Sequence, residues 1–177
     1  MRGVYTLTIR LRRPCRVRIG RHVSSTLKKG LYLYTGSAMG RGSTSLEARI
    51  RRHLRRDKKQ FWHIDRILAS KSARVLSIVF ANSTSKAECR INAALLKHPN
   101  LRVFLRVIGS SDCRCGSHFL MATGSLRSLQ QEVRSCYVRM GFGPHVLKSP
   151  NLTSKTPFHN LIRRETLRES GFECFRQ

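Results

Sequence analysis

From Gly3 to Leu11 apolar and polar positions alternate, with Tyr5, Leu7, Ile9 and Leu11 on one side and Thr6, Thr8 and Arg10 on the other. That is the period of a strand with one face in a core. Arg12-Arg13-Pro14 breaks the pattern, and Cys15, Val17 and Ile19 then alternate with Arg16 and Arg18, which predicts a hairpin partner. His22 to Gly30 reads as a loop. Leu31 to Tyr34 predicts a second half-buried strand, after which Gly36, Gly40 and Gly42 permit positive φ and close approach of a ligand. A helix is expected at once, because Thr44-Ser45-Leu46-Glu47 fits a capping box and Leu46, Ile50 and Leu54 recur every four residues. Arg49 and His53 lie four apart beside that stripe, near a helix start that favours an anion.

Further along, Phe61, Ile64 and Leu68 predict a short helix over 61–68. On it His63 and Asp65 point about 200° apart, so at most one of them faces a given site. Ala73 to Phe80 reads as a strand, and Ser85-Lys86-Ala87-Glu88 opens a helix through Leu95. Strands are expected over 102–108 and 117–121, around a turn at Gly109 to Asp112. Residues 125–140 and 157–170 each fit an amphipathic helix, separated by a stretch rich in Gly, Pro, Ser and Asn. The expected organisation is an α+β domain over 1–122, with a small mixed or antiparallel sheet flanked by helices, and a C-terminal helical extension over 123–177. No internal repeat is visible.

Charge changes the picture. The 177 residues carry 35 Lys and Arg against 9 Asp and Glu, a formal net charge of +26. Residues 1–122 hold 26 of the basic side chains and 5 of the acidic ones, so the electrostatic footprint belongs to that part. Such an excess points to a polyanionic partner, nucleic acid before any other. Even six phosphate contacts imply a log–log salt slope of roughly −5. Arginines outnumber lysines 26 to 9, which suits bidentate phosphate contacts and stacking on bases. Arg41, Arg51, Arg52, Arg55, Arg56, Lys58 and Lys59 form the densest group and are the expected nucleic-acid contacts. No apolar run approaches the roughly 18 residues of a membrane span, no lipidation motif is present, and Met1-Arg2 leads into a strand instead of a signal segment. A cytoplasmic protein without a membrane partner is the expectation. Its six cysteines then read as thiols or ligands.

Glu88 stands out among the few carboxylates. In Ser85-x-x-Glu88 it has two readings, a capping residue or a metal ligand. At this point Gly3-Val4-Tyr5, Tyr34-Thr35-Gly36, Arg49, His53 and Glu88 follow one another in the order of the GIY-YIG nuclease pattern, and the chain resembles that superfamily over about residues 3–122. Gly36-Ser37-Ala38, Trp62-His63-Ile64-Asp65, Glu88-Cys89 and Ser111 to His118 look like its Uri-type branch, a largely archaeal group. Val4 and Thr35 stand where isoleucines are usual, and the interval from Tyr5 to Tyr34 is long. The resemblance implies a short antiparallel sheet flanked by helices and one divalent ion, Mg²⁺ or Mn²⁺, on Glu88. It implies Tyr5 as proton acceptor for the attacking water, Tyr34 as its orienter, and Arg49 with His53 as stabilisers of charge on phosphate and leaving oxygen. A free tyrosine is ionised only about 0.1% at pH 7, so a Tyr5 base needs its pKa lowered by a few units. The metal and the basic domain are expected to supply that.

Asp112, Cys113, Cys115 and His118 form a second constellation with two readings. With Cys89 the cysteines and histidine offer four ligands to Zn²⁺, at a spacing tighter than ordinary zinc knuckles. Otherwise Cys113 and Cys115 are small buried residues at a strand turn, with Asp112 and His118 shaping the cleft. Two functions compete. One is a metal-dependent endonuclease acting on DNA with little sequence readout; the other is a non-catalytic RNA-binding or ribosome-associated protein on the same fold. Arginines confined to the cleft favour the first, and arginines on opposite faces favour the second.

Overall fold

The computed structural model describes residues 1–19 and 23–149. The expected helix over 157–170 lies outside the described residues. β1 (Gly3–Leu11) is flanked on one side by β4 (Gly30–Ala38) and on the other by β5 (Ala73–Asn82). Outside these lie β7 (Phe119–Ala122), β6 (Leu101–Val103) and β8 (His145–Lys148), in the order β6-β7-β4-β1-β5-β8. Every pairing is antiparallel. The fold is α+β, as the hydrophobic pattern implied.

The expected hairpin between β1 and the next strand does not form. β2 (Cys15–Ile19) pairs instead with β3 (Val23–Leu27), which occupies what read as a loop, in a separate two-stranded sheet. The reason is competition: both edges of β1 are already taken by β4 and β5. Cys15, Val17 and Leu27 still bury their side chains, in the core formed by Leu7, Ile9 and Leu11 with Leu46 and Ile50 of α1 (Leu46–Leu54) and Ile64, Ile67 and Leu68 of α2 (His63–Ala69).

The opposite face of the sheet is covered too. Val4, Leu33 and Val79 pack against Ala87, Ile91 and Leu95 around α3 (Glu88–Leu96), and against Leu129, Val133, Cys136 and Tyr137 of α4 (Leu126–Arg139). Thr6 and Thr8, on the side that reads as polar, are fully buried. The Thr6 hydroxyl lies 3.1 Å from that of Thr35 and 3.0 Å from that of Tyr137, so these three buried hydroxyls bond to one another, whereas the Thr8 hydroxyl has no partner among the described residues. A domain ending at residue 122 is therefore corrected. Without α4 the part of this face that α3 leaves uncovered would be exposed, at about 1.5–3 kcal/mol for each large apolar side chain uncovered, and β8 would be missing from the edge of β5.

Between β6 and β7 the expected long strands shrink to a few residues, and 104–118 runs as an irregular connection. Val107 and Gly109 adopt left-handed φ values of 73° and 74°, which no strand tolerates. At Gly109 a Cβ would also meet the Tyr34 ring at 2.7 Å. The connection bonds to itself, Val107 N–H to the Gly116 carbonyl (2.9 Å) and His118 N–H to that of Ile108 (2.8 Å).

Candidate active site

The register of the sheet assembles the site. Tyr5 faces Gly36 across the β1–β4 ladder and Leu7 faces Tyr34, so the two tyrosines are diagonal neighbours with ring centroids 6.4 Å apart. A Cβ on residue 36 would come within 2.7 Å of the Tyr5 hydroxyl. Gly36 is thus required by a tyrosine packed behind it, not by a ligand in front. α1 starts at Ser45, whose hydroxyl accepts from Ala48 N–H at 3.3 Å. Glu47 pairs with the Met1 amine at 2.8 Å, which ties the chain's start to this helix. One helical turn then separates Arg49 from His53, and both reach the tyrosines.

A cleft of about 600 Å³ opens there, lined among others by Tyr34, Arg49, Trp62, Glu88, Asp112 and His118. Tyr5 does not line it. Its hydroxyl lies behind Gly36, 2.7 Å from His53 Nε2, with Tyr5 and His53 both buried. Burial, reinforced by Tyr34 and only partly offset by the Arg49 guanidinium, pushes the Tyr5 hydroxyl well above the usual phenol range. This corrects the expectation of a lowered Tyr5 pKa: the basic charge of the domain is outweighed by loss of water around the ring. Burial likewise pushes Tyr34 up to about 12. Burial, helped by Lys58, lowers His53 to about 3, so at neutral pH the imidazole is uncharged.

Arg49 donates from Nη1 to the Ser37 carbonyl at 2.9 Å and its guanidinium carbon sits 4.5 Å from the centroid of the Trp62 ring. Arg52 contacts the same indole at 4.8 Å. Asp65 organises this corner from within. Its carboxylate accepts from Phe61 N–H and Trp62 N–H, each at 3.1 Å, and from Arg52 at 2.8 Å, and it pairs with Lys58 at 3.1 Å. Burial alone would raise its pKa, but the Trp62 N–H with Arg52 and Lys58 holds it at about 2. His63 lines the cleft while Asp65 faces inward, as their spacing implied. Lys58, expected on nucleic acid, is turned inward with its side chain 3% exposed, because a buried carboxylate needs a compensating charge. Arg52 is likewise drawn to Asp65.

Glu88 occupies the first turn of α3, where the helix dipole favours an anion. The capping reading is not realised: Ala87 is the N-cap with no side-chain hydrogen bond, and the Ser85 N–H turns to the Ser83 hydroxyl. One Glu88 carboxylate oxygen is buried and unpartnered. The side chain lines the same cleft as Tyr34 and Arg49, so the three elements β4, α1 and α3 contribute to one cavity.

The cysteines of the 104–118 connection are half-buried instead of forming a buried strand turn. Ligand atoms of Cys89, Cys113, Cys115 and His118 all lie within 4.8 Å of one another, a group that could hold a metal ion. Asp112 stands exposed at the cleft rim, paired with Lys86 at 3.1 Å.

The model of the family described as domain of unknown function DUF123 matches residues 4–142. The chain belongs to this GIY-YIG-like family. No curated protein and no solved structure matches it. The DUF123 match ends within the short segment after α4, in accord with a core that needs that helix. On this DUF123 chain Arg41, Arg51, Arg55, Arg56 and Lys59 are exposed. The sequence reading gave no role to Trp62, the chain's one tryptophan. Its position between an arginine-rich helix and a histidine was the available signal. No helix among the described residues is long and apolar enough to cross a membrane.

Proposed function

We propose that the chain is a metal-dependent endonuclease of the Uri-type branch, hydrolysing phosphodiester bonds in DNA with little sequence specificity. The observation that carries this reading is the convergence of Tyr34, Arg49 and Glu88 on one cleft with the Tyr5–His53 pair directly behind its floor. The unpartnered buried oxygen of Glu88 suits a cation. Glu88 would hold Mg²⁺ or Mn²⁺, hard ions that accept carboxylate and water ligands and supply Lewis-acid polarisation of a phosphoryl oxygen. Zinc suits the sulfur-rich cluster better than it suits Glu88.

The chain's own side chains do the rest. Arg49, anchored by Ser37 and stacked on Trp62, offers its guanidinium to a phosphate. Neutral Tyr34 orients the phosphate or the attacking water by hydrogen bonding. Tyr5 is a neutral phenol bonded to His53 Nε2 behind the cleft, so its part is to fix the imidazole and hold the floor of the cleft, not to act as a preformed phenolate. Phe61, 77% exposed beside the cleft, offers a face on which an unpaired base can stack.

Labelled DNA and RNA, incubated with Mg²⁺ or with EDTA, test the reading. Metal-dependent cleavage of DNA is expected, abolished in Glu88→Gln with binding retained. Exposed arginines on opposite sides of the sheet, Arg51 and Arg55 on and after α1 and Arg90 on α3, favour the second reading of an RNA-binding or ribosome-associated protein. Tight RNA binding with no cleavage of either nucleic acid would establish that alternative.

A further inference from the structure

We propose that Cys89, Cys113, Cys115 and His118 bind one Zn²⁺ ion that fastens the 104–118 connection to the start of α3 and so builds one wall of the cleft. Three sulfurs and an imidazole nitrogen, all within 4.8 Å of one another, match the donor set and number of a closed structural zinc site. A tetrahedral ion with Zn–S bonds of about 2.3 Å separates neighbouring ligand atoms by roughly 3.5–3.8 Å. Cys113 Sγ and His118 Nε2 already stand 3.6 Å apart. The spacing of Cys113, Cys115 and His118 is too tight for a zinc knuckle only if all ligands must come from one turn; the fourth comes from a helix distant in sequence.

The connection has a reason to need such a fastening. Its base is held by backbone bonds at Val107, Ile108, Gly116 and His118, and by Asn92, which donates to the Ser117 carbonyl at 2.8 Å. Towards the tip the Cys113 N–H reaches the Ser110 carbonyl only at 3.4 Å. The Lys86–Asp112 ion pair spans the same gap, but both side chains are 64% exposed, and exposed pairs contribute little. Gly109, Ser111, Asp112 and His118 all line the cleft, so ordering the tip orders the cleft. Cys89 directly follows Glu88 on α3, so the same ion would fix the turn that carries that carboxylate. Sulfur and imidazole select zinc over the harder ion suited to Glu88.

Metal analysis of the untagged full-length protein, purified without chelator, tests this independently of any cleavage. Equimolar zinc is expected, lost in Cys115→Ser and retained in Cys15→Ser. Replacement by Co²⁺ should give the thiolate charge-transfer and visible bands of a tetrahedral sulfur-rich site, a readout on the wild-type chain that holds even if the variant misfolds. Stripped protein should be cut by protease within 104–118 and regain resistance when zinc is restored. Protein free of zinc with four reactive side chains, a disulfide among the three cysteines, or iron in place of zinc would each overturn the proposal. A zinc-loaded protein that cuts no nucleic acid would leave this site standing and remove the nuclease reading.

Discussion

The Tyr5 hydroxyl and His53 Nε2 stand 2.7 Å apart in a space closed to water, on a strand and a helix that sequence separates by 48 residues. A charge on either ring has no solvent to stabilise it, so both rings are neutral at neutral pH and share one hydrogen bond. The pH behaviour of the protein follows from that.

All four tyrosines of the chain, Tyr5, Tyr32, Tyr34 and Tyr137, have hydroxyls raised above the usual phenol value by burial. Ultraviolet titration of the native protein should therefore show no tyrosinate until above about pH 10, the free-tyrosine value. A tyrosinate signal between pH 7 and 9, lost in Tyr5→Phe, would restore the ionised Tyr5 that the resemblance implied.

His53 titrates near 6.5 when unfolded and at about 3 in the folded chain. Between those values the unfolded state binds the extra proton, so stability rises with pH through that window and is lost as pH falls below about 6.5, at up to about 1.4 kcal/mol per unit. Urea unfolding from pH 7.5 to 4.5 should show this slope, and His53→Gln should flatten it. An unchanged slope in the variant would place the titrating group elsewhere.

Removing the Asp65 charge leaves Lys58 buried without its counter-charge and takes away the carboxylate that Arg52 pairs with. Asp65→Asn should cost about 3–5 kcal/mol in denaturant unfolding. A loss under 1 kcal/mol would show that the corner rests on Arg52 and the indole alone.

Tyr5→Phe removes a hydrogen-bond partner from a buried imidazole and should cost about 1–3 kcal/mol while leaving nucleic-acid binding intact. Cleavage should fall as well, because the buried imidazole loses the bond that fixes it behind the cleft floor. Full activity with lowered stability would leave Tyr5 a packing residue.

Phe61→Ala should leave stability unchanged, because the ring is exposed, and should weaken single-stranded binding by about 1–3 kcal/mol relative to duplex. Equal loss on both would assign Phe61 to backbone contacts. In the same assays Arg55→Ala should lower the salt slope by about 0.7–0.9, one phosphate's share, whereas Lys58→Ala should act through folding.

Local pattern alone determined that β1 and β4 are strands, that α1 begins near Ser45 with Arg49 and His53 one turn apart, and that most of the positive charge falls before residue 123. Strand alternation and helical periodicity are properties of a few neighbouring residues, and they survive any packing. Only the tertiary structure decided that β2 leaves β1 for β3, that Thr6 lies beneath α4, that Lys58 turns in to Asp65, and that Tyr5 is a neutral phenol. Each of these depends on which surfaces remain open once distant segments have docked. The Cys89, Cys113, Cys115 and His118 cluster shows the same division: three of its members lie within six residues, and the fourth arrives on a helix whose position no local spacing encodes.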